Sequence, residues 1–259
     1  MKVTVLGSGT AIIRKERSSP SFLIEAGKKL LLLDCGWGVP VNFLKTGYVP
    51  LDLDHIFITH RHADHIGTLM NFIQSMLVEN VYNSAKRKKP LYLHGYPGFK
   101  KDYEVLRDLI CPERKETYPI KIFEYTNHQR QLGAIKIEGY KVKHVPFFNA
   151  AAFRVEYEGK IVAYSGDSTF DKNLFKVARN ADLALFEASV SPKMFRQQGP
   201  RPNHLSAYED GIIAAKVGVK RMLLWHLYDN AAQSEIRKDV RKNFKGGLII
   251  PQDFQVINI

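Results

Sequence analysis

Cysteine is almost absent: the 259-residue chain holds two, Cys35 and Cys111. That excludes a disulfide scaffold and a four-cysteine zinc site, and it makes a reducing compartment the expectation. No apolar run reaches the roughly 18 residues needed to span a bilayer. The opening Met1-Lys2-Val3-Thr4-Val5-Leu6-Gly7 alternates like a strand and lacks the apolar stretch and cleavage site of a signal peptide. A cytoplasmic protein beginning at Met1, with no membrane partner, is therefore expected. Acidic residues are few, 26 against 38 lysines and arginines, which leaves a net charge of +12 with histidine neutral. Such an excess suits an anionic substrate or partner, although charge speaks to steering and not to a reaction. Repeats, low-complexity tracts and any linker long enough to divide the chain are also missing, so residues 1–259 read as one domain.

What is present is strand-rich. Residues 3–6, 21–25 and 29–34 read as strands, the last two joined by an Ala26-Gly27-Lys28 turn. A short helix is expected over 39–46. Residues 54–59 are apolar almost without a break, as in a strand covered on both faces. Beyond Ile66 the spacing turns helical, with Leu69, Ile73, Met76 and Leu77 on one face. Further strands are expected at 91–94, 120–125, 134–144, 153–157, 160–165, 183–187, 221–226 and 254–257, with helices at 208–216 and 233–244. This order predicts a layered α/β protein with mixed sheets rather than a simple βαβ alternation.

The strongest signal is His60-Arg61-His62-Ala63-Asp64-His65, three histidines and an aspartate directly after a buried strand. Imidazole suits zinc, iron or manganese, and carboxylate oxygen suits the harder of these ions. His60 and His62, two apart on extended chain, can face one ion. Asp64 and His65, at the turn into the helix, can face another. The bland alternative is a solvated polar loop. Further ligands are expected at other strand ends, where His144, Asp167 and His226 each follow a hydrophobic run. Singly, each reads as a hydrogen-bonded surface or capping residue; with the cluster they complete a set of potential ligands.

In order and context, these residues resemble the metallo-β-lactamase superfamily, and Val5-Leu6-Gly7-Ser8-Gly9-Thr10 and Leu32-Leu33-Asp34-Cys35-Gly36 are similar to its opening strands. The resemblance runs from Leu6 to His226. It implies a four-layer αββα sandwich of two mixed β-sheets flanked by helices, with a dinuclear site at one edge. The family pattern puts His60, His62 and His144 on one ion, Asp64, His65 and His226 on the other, and Asp167 between them. Zinc is the first expectation, with manganese or iron(II) as alternatives, since His/Asp sites accept all three. Within the superfamily the chain is most similar to the ribonuclease Z-like and phosphodiesterase branch, which shares Asp64 and His65. Glu187-Ala188-Ser189 resembles the branch's His-Glu-Ala-Thr motif, with Phe186 in the histidine's place, and Asn203-His204-Leu205-Ser206 resembles its late histidine motif. The resemblance implies phosphodiester cleavage by a metal-activated hydroxide, on RNA or a cyclic nucleotide. Asp64 would accept the water's proton and His204 would protonate the leaving oxygen, with Glu187 part of the same machinery; read by itself, Glu187 is equally a surface carboxylate. A homodimer is expected by analogy. The long arm of the tRNA-processing enzymes has no room between His144 and Asp167, 23 positions apart, which can hold a hairpin.

Weaker signals surround these. Asp34 is either hydrogen-bonded behind a ligand histidine or a turn former, and Cys35 reads as buried packing. Gly7-Ser8-Gly9-Thr10 lacks the lysine of a phosphate-binding loop and reads as a tight turn that lets backbone approach the site. Phe147-Phe148 either stacks on a base or belongs to the core, the core being favoured. Lys86-Arg87-Lys88-Lys89 reads as solvated surface, with nucleic-acid contact as the alternative, and Arg237, Lys238, Arg241 and Lys242 as a solvated basic helix face. His55, His94 and His128 are expected to be structural. Two rival functions stand beside the phosphodiesterase: a metal-dependent hydrolase of a lactone, thioester or carboxylic ester, and a metal-holding binding protein without turnover.

Overall fold

A computed structural model describes residues 1–82, 87–112, 117–200, 203–228 and 232–259. The chain begins with β1 (Lys2–Gly7), β2 (Ser21–Ala26), β3 (Lys29–Leu33), α1 (Val39–Leu44) and a 3-10 turn at Pro50–Asp52. It continues through β4 (His55–Ile58), α2 (Ala63–Ile66), α3 (Leu69–Tyr82), β5 (Leu91–Gly95), α4 (Phe99–Ile110) and β6 (Ile120–Glu124). The second half holds β7 (His128–Leu132), β8 (Ile135–Val142), β9 (Ala150–Tyr157), β10 (Lys160–Tyr164), α5 (Lys172–Val177), β11 (Leu183–Glu187) and α6 (Pro192–Gln198). It closes with α7 (Ala207–Lys216), β12 (Arg221–Trp225), α8 (Gln233–Arg241), β13 (Gly247–Ile249) and β14 (Val256–Asn258).

Two seven-stranded sheets result, ordered β14-β1-β2-β3-β4-β5-β6 and β13-β12-β11-β10-β9-β8-β7. Each is half antiparallel and half parallel, the parallel halves being β3 to β6 and β10 to β13. Helices cover both outer faces, giving the expected αββα sandwich. Strand alternation explains the layering. In β10 to β12, Val162, Tyr164, Leu183, Leu185, Leu223 and Trp225 join the core between the sheets. Their neighbours Ala163, Ala184, Phe186, Met222 and Leu224 join a second core beneath the helices. Strands buried on both faces read as unbroken apolar runs, and parallel strands deliver their C-terminal ends to one rim.

The interval between His144 and Asp167 contains the β9–β10 hairpin, paired through Lys160 and Tyr157. His55 and His94 are structural, as expected: both are buried, His55 Nδ1 lies 3.0 Å from His94 Nε2, and Tyr125 pairs with His94 Nδ1 at 2.9 Å. Arg87 departs from the expected solvated run. It is buried and donates to the carbonyls of Leu51 (2.6 Å), Lys89 (2.9 Å) and Pro90 (2.7 Å), so its charge binds loops together. Lys86 of the same run lies outside the described residues. β7 carried no sequence signal because His128-Gln129-Arg130-Gln131 is an edge strand with both faces largely wet. No helix among the described residues is long and apolar enough to cross a membrane.

Candidate metal centre

On the first sheet, β3 and β4 run parallel and end side by side, which places Asp34 against Thr59 and the cluster that follows it. Asp34 adopts φ 53°, in the left-handed region that Asp tolerates at turns. Its Oδ1 accepts the Thr59 N–H at 2.7 Å, and its Oδ2 accepts from Thr59 Oγ1 (2.8 Å), His65 Nδ1 (2.7 Å) and Tyr164 O–H (2.6 Å). Asp34 is therefore both turn former and support. The Tyr164 bond crosses from one sheet to the other. Cys35 is fully buried, as expected. His62 stands at the N-cap just before α2, and Asp64 and His65 lie within the helix.

On the second sheet the residues arrive singly. His144 follows β8, Asp167 follows β10, and His226 follows β12 with φ 60°. Gly166 precedes Asp167 with φ 57°, and a Cβ there would stand 2.7 Å from that of Thr59, so only glycine lets the two sheets meet this closely. Glu187 ends β11 fully buried, which overturns its reading as a surface carboxylate. Its Oε1 accepts from Ser168 N (3.2 Å), Leu205 N (3.1 Å) and His204 Nδ1 (3.0 Å), and its Oε2 accepts from Ser189 N (3.0 Å) and Ser189 Oγ (2.5 Å).

These partners fix the imidazole tautomers. Thr59 Oγ1 donates to Asp34, so it accepts from His60 Nδ1 (3.1 Å); Ser189 Oγ donates to Glu187, so it accepts from His226 Nδ1 (2.6 Å). His65 Nδ1 donates to Asp34, and His144 Nδ1 donates to the Asn203 carbonyl at 2.7 Å. In the neutral form of all four rings the Nε2 lone pair is left facing the centre. His60 Nε2 and His144 Nε2 stand 2.9 Å and 3.2 Å from His62 Nδ1. Nitrogens on a tetrahedral zinc lie about 3.3 Å apart, given bonds of 2.0–2.1 Å. Asp167 Oδ1 is 3.4 Å from His65 Nε2, and Oδ2 is 3.6 Å from His226, 3.8 Å from His144 and 3.9 Å from His60. Asp64 Oδ2 is 3.3 Å from His226 Nε2 and 3.5 Å from His65 Nε2. Three sets of donors fall within 4.8 Å of one another: His60, His62, His144 and Asp167; Asp64, His65 and His226; and Asp167, His204 and His226. His65 Nε2 and Asp167 Oδ1 are buried without a hydrogen-bond partner. Orphaned lone pairs converging from imidazole and carboxylate fit a divalent cation.

Charge differs across the cluster. Burial and the neighbouring histidines hold His60 well below the ordinary imidazole value. Burial opposes charge on His65 too, but Asp167, Asp34 and Asp64 push it up to about 10. His204 behaves likewise: burial disfavours its cation, yet Glu187 overrides this and its pKa is pushed up to about 9.

A pocket of about 380 Å³ opens over the centre, lined by His62, Asp64, Asp167, His204 and His226 together with Trp37 and Tyr228. Sequence reasoning missed Trp37, Tyr228, Ser189 and Tyr164. Ser189 stood in a motif already quoted, whereas nothing local says that the Tyr164 hydroxyl reaches the other sheet. Phe147 is 82% exposed and Phe148 packs edge-on to His62 at 4.9 Å, so this pair is rim rather than core. The tight backbone approach at Gly7 and Gly9 is to the 17–19 segment and not to the metal centre.

A model of the metallo-beta-lactamase superfamily matches residues 14–208. The chain is 26% identical over 303 aligned residues to a ribonuclease Z of Archaeoglobus fulgidus, covering 100% of this chain and 97% of that protein. The crystal structure of the metallo-beta-lactamase fold protein YhfI from Bacillus subtilis superposes with a TM-score of 0.82 at 24% identity, covering 99% and 98% of the two chains. The short form of human tRNase Z superposes with a TM-score of 0.79 at 18% identity, covering 100% and 99%. With the fold, the rim position of the centre and the matched family model agreeing, the chain belongs to the metallo-beta-lactamase superfamily and, with it, to the metal-dependent hydrolases.

Proposed function

We propose that this hydrolase cleaves phosphodiester bonds, and that two divalent cations, zinc first among them, would be held by His60, His62, His144, Asp64, His65, His226 and Asp167. When bound, the ions supply positive charge and a water that ionises near neutral pH. The remaining work falls to the chain. Burial would raise the Asp64 carboxyl, but His65 holds it below the ordinary carboxylate value, so at neutral pH it is an ionised acceptor within the centre for the water's proton. His204 lines the pocket with Nδ1 committed to Glu187, which favours its cation. It attracts the anionic ester and passes a proton to the leaving oxygen. Glu187 holds that ring in place.

The observation that carries this reading is the His204–Glu187 pair at 3.0 Å, a charged acid built beside the ligand cluster where a neutral ester would need no cation. A metal-replete assay on bis(p-nitrophenyl) phosphate beside a panel of lactones and thioesters tests it. Diester hydrolysis is expected, with His204→Ala lowering kcat by about 10²–10⁴ at unchanged metal content. Activity on lactones or thioesters alone would overturn it, as would bound metal with no turnover.

A further inference from the structure

A larger cleft, of about 1090 Å³, lies away from the metal centre, between the outward faces of β8 and β9, α5 and the end of α7. Arg154 and Tyr140 line it from the sheet, Lys172, Lys176 and Arg179 from α5 and the turn after it, and Lys216 from the end of α7. Lys172 and Lys176 lie one turn apart on α5, and Arg179 follows in the turn just after it. All three are exposed, and none has a carboxylate partner among the described residues. The acid of the lining, Glu138, is already engaged by Lys136 (2.9 Å), Tyr140 O–H (2.7 Å) and Arg154 Nε (3.8 Å). Arg154 in turn donates to the carbonyls of Val177 (3.1 Å) and Arg179 (2.6 Å), which fixes the turn that presents Arg179. Phe175 lies under Lys216, whose Nζ is 5.5 Å from the ring centre, and Phe170 packs edge-on to it at 5.6 Å.

Position adds to composition. Asp171, just before Lys172, accepts the Lys143 N–H at 3.2 Å, and Thr169 N–H donates to the Lys143 carbonyl at 2.7 Å. The Lys172 end of the cleft therefore abuts the loop that carries His144. Four exposed cations, Lys172, Lys176, Arg179 and Lys216, beside Phe175 and Tyr140 suit a polymer whose phosphates repeat and whose bases can stack. A compact anion would fill little of a cleft of about 1090 Å³.

We propose that this cleft binds single-stranded RNA and guides the strand toward the metal pocket. Its role as an extension of the active site rests on the phosphodiesterase reading; the binding does not. The test measures fluorescence anisotropy of a labelled oligouridylate of about 12 nucleotides, within the span of known single-strand sites, with the full chain and with a Lys172→Glu, Lys176→Glu, Arg179→Glu triple variant. Kd is expected to rise about tenfold or more. The slope of log affinity against log salt should fall by about 2, since each lost single-strand phosphate contact removes about 0.7. Hydrolysis of bis(p-nitrophenyl) phosphate by the variant should match that of the unaltered protein. A triple alanine variant should show the same direction at smaller size. Equal affinity and slope in all three proteins would overturn the proposal, as would displacement of the RNA by polyglutamate at equal charge, which would mark a surface for acidic protein. RNA binding lost in the variant, from a protein that hydrolyses no diester, would leave the cleft standing and remove the phosphodiesterase. Diester hydrolysis with unaltered RNA binding in the variant would do the reverse.

Discussion

Two fully buried carboxylates brace the metal centre from opposite sheets, Asp34 on the first and Glu187 on the second. Asp34 pins one contiguous stretch, through Thr59 and His65, and adds a single tie to Tyr164. Glu187 gathers separate loops: Ser168 beside Asp167, Leu205 with His204, and Ser189, which passes the restraint on to His226. Ligands that arrive together on one turn need an anchor for that turn. Ligands that arrive one per strand need a hub to set them against each other. Asp34 should therefore matter most to folding, and Glu187 most to chemistry.

The largest expected effect is on Asp34→Ala. It strands the Tyr164 hydroxyl, the Thr59 amide and the His65 ring in an apolar layer, and unfolding in urea should show a loss of about 3–5 kcal/mol. If Glu187→Ala costs as much, the distinction fails. Next comes Glu187→Gln, which keeps the shape and removes the charge. His204 is cationic below a pKa of about 9 and loses its proton as pH rises through that value. Without the Glu187 charge its pKa falls, so the alkaline decline of kcat should move to lower pH. Bound cations shift both proteins the same way, and pH–rate profiles measured side by side isolate the difference. Ser189→Ala then tests the relay to His226. Metal affinity should drop about tenfold, the lower end of what lost ligand support costs, and stability by about 1–3 kcal/mol, since the buried His226 Nδ1 loses its acceptor. Tyr164→Phe is the smallest change. It removes one cross-sheet hydrogen bond, worth about 1 kcal/mol, and should leave metal content intact.

The same contrast explains what could be read from the sequence. His60 to His65 stood out because the ligands are contiguous and follow a doubly covered strand. His144, Asp167 and His226 were legible as strand ends, and family resemblance distributed them. Glu187 was ambiguous because a carboxylate after an apolar run looks the same whether a helix covers it or water does. Its burial is decided by α7 and the 203–205 loop, neither of which is near in sequence. α4, α5 and α6 went unassigned. α4 exposes most of its length, with Phe99 and Tyr103 as its buried residues, so its apolar stripe is thin. The basic cleft escaped notice because its cations sit on β9, on α5 and the turn after it, and on α7, and meet only in three dimensions.

The paired imidazoles of His55 and His94 have a consequence for handling the protein. Burial pushes His55 down to about 4 and His94 well below its ordinary value. The unfolded chain takes up those protons near pH 6.5. Between pH 6.5 and 4 the unfolded state binds more protons than the native one, so stability falls as the solution is acidified. Stripping ions by acid dialysis would thus weaken the fold, whereas a chelator at neutral pH would spare it. Metal-free protein should melt at a lower temperature at pH 5 than at pH 7, and His55→Phe should narrow that gap.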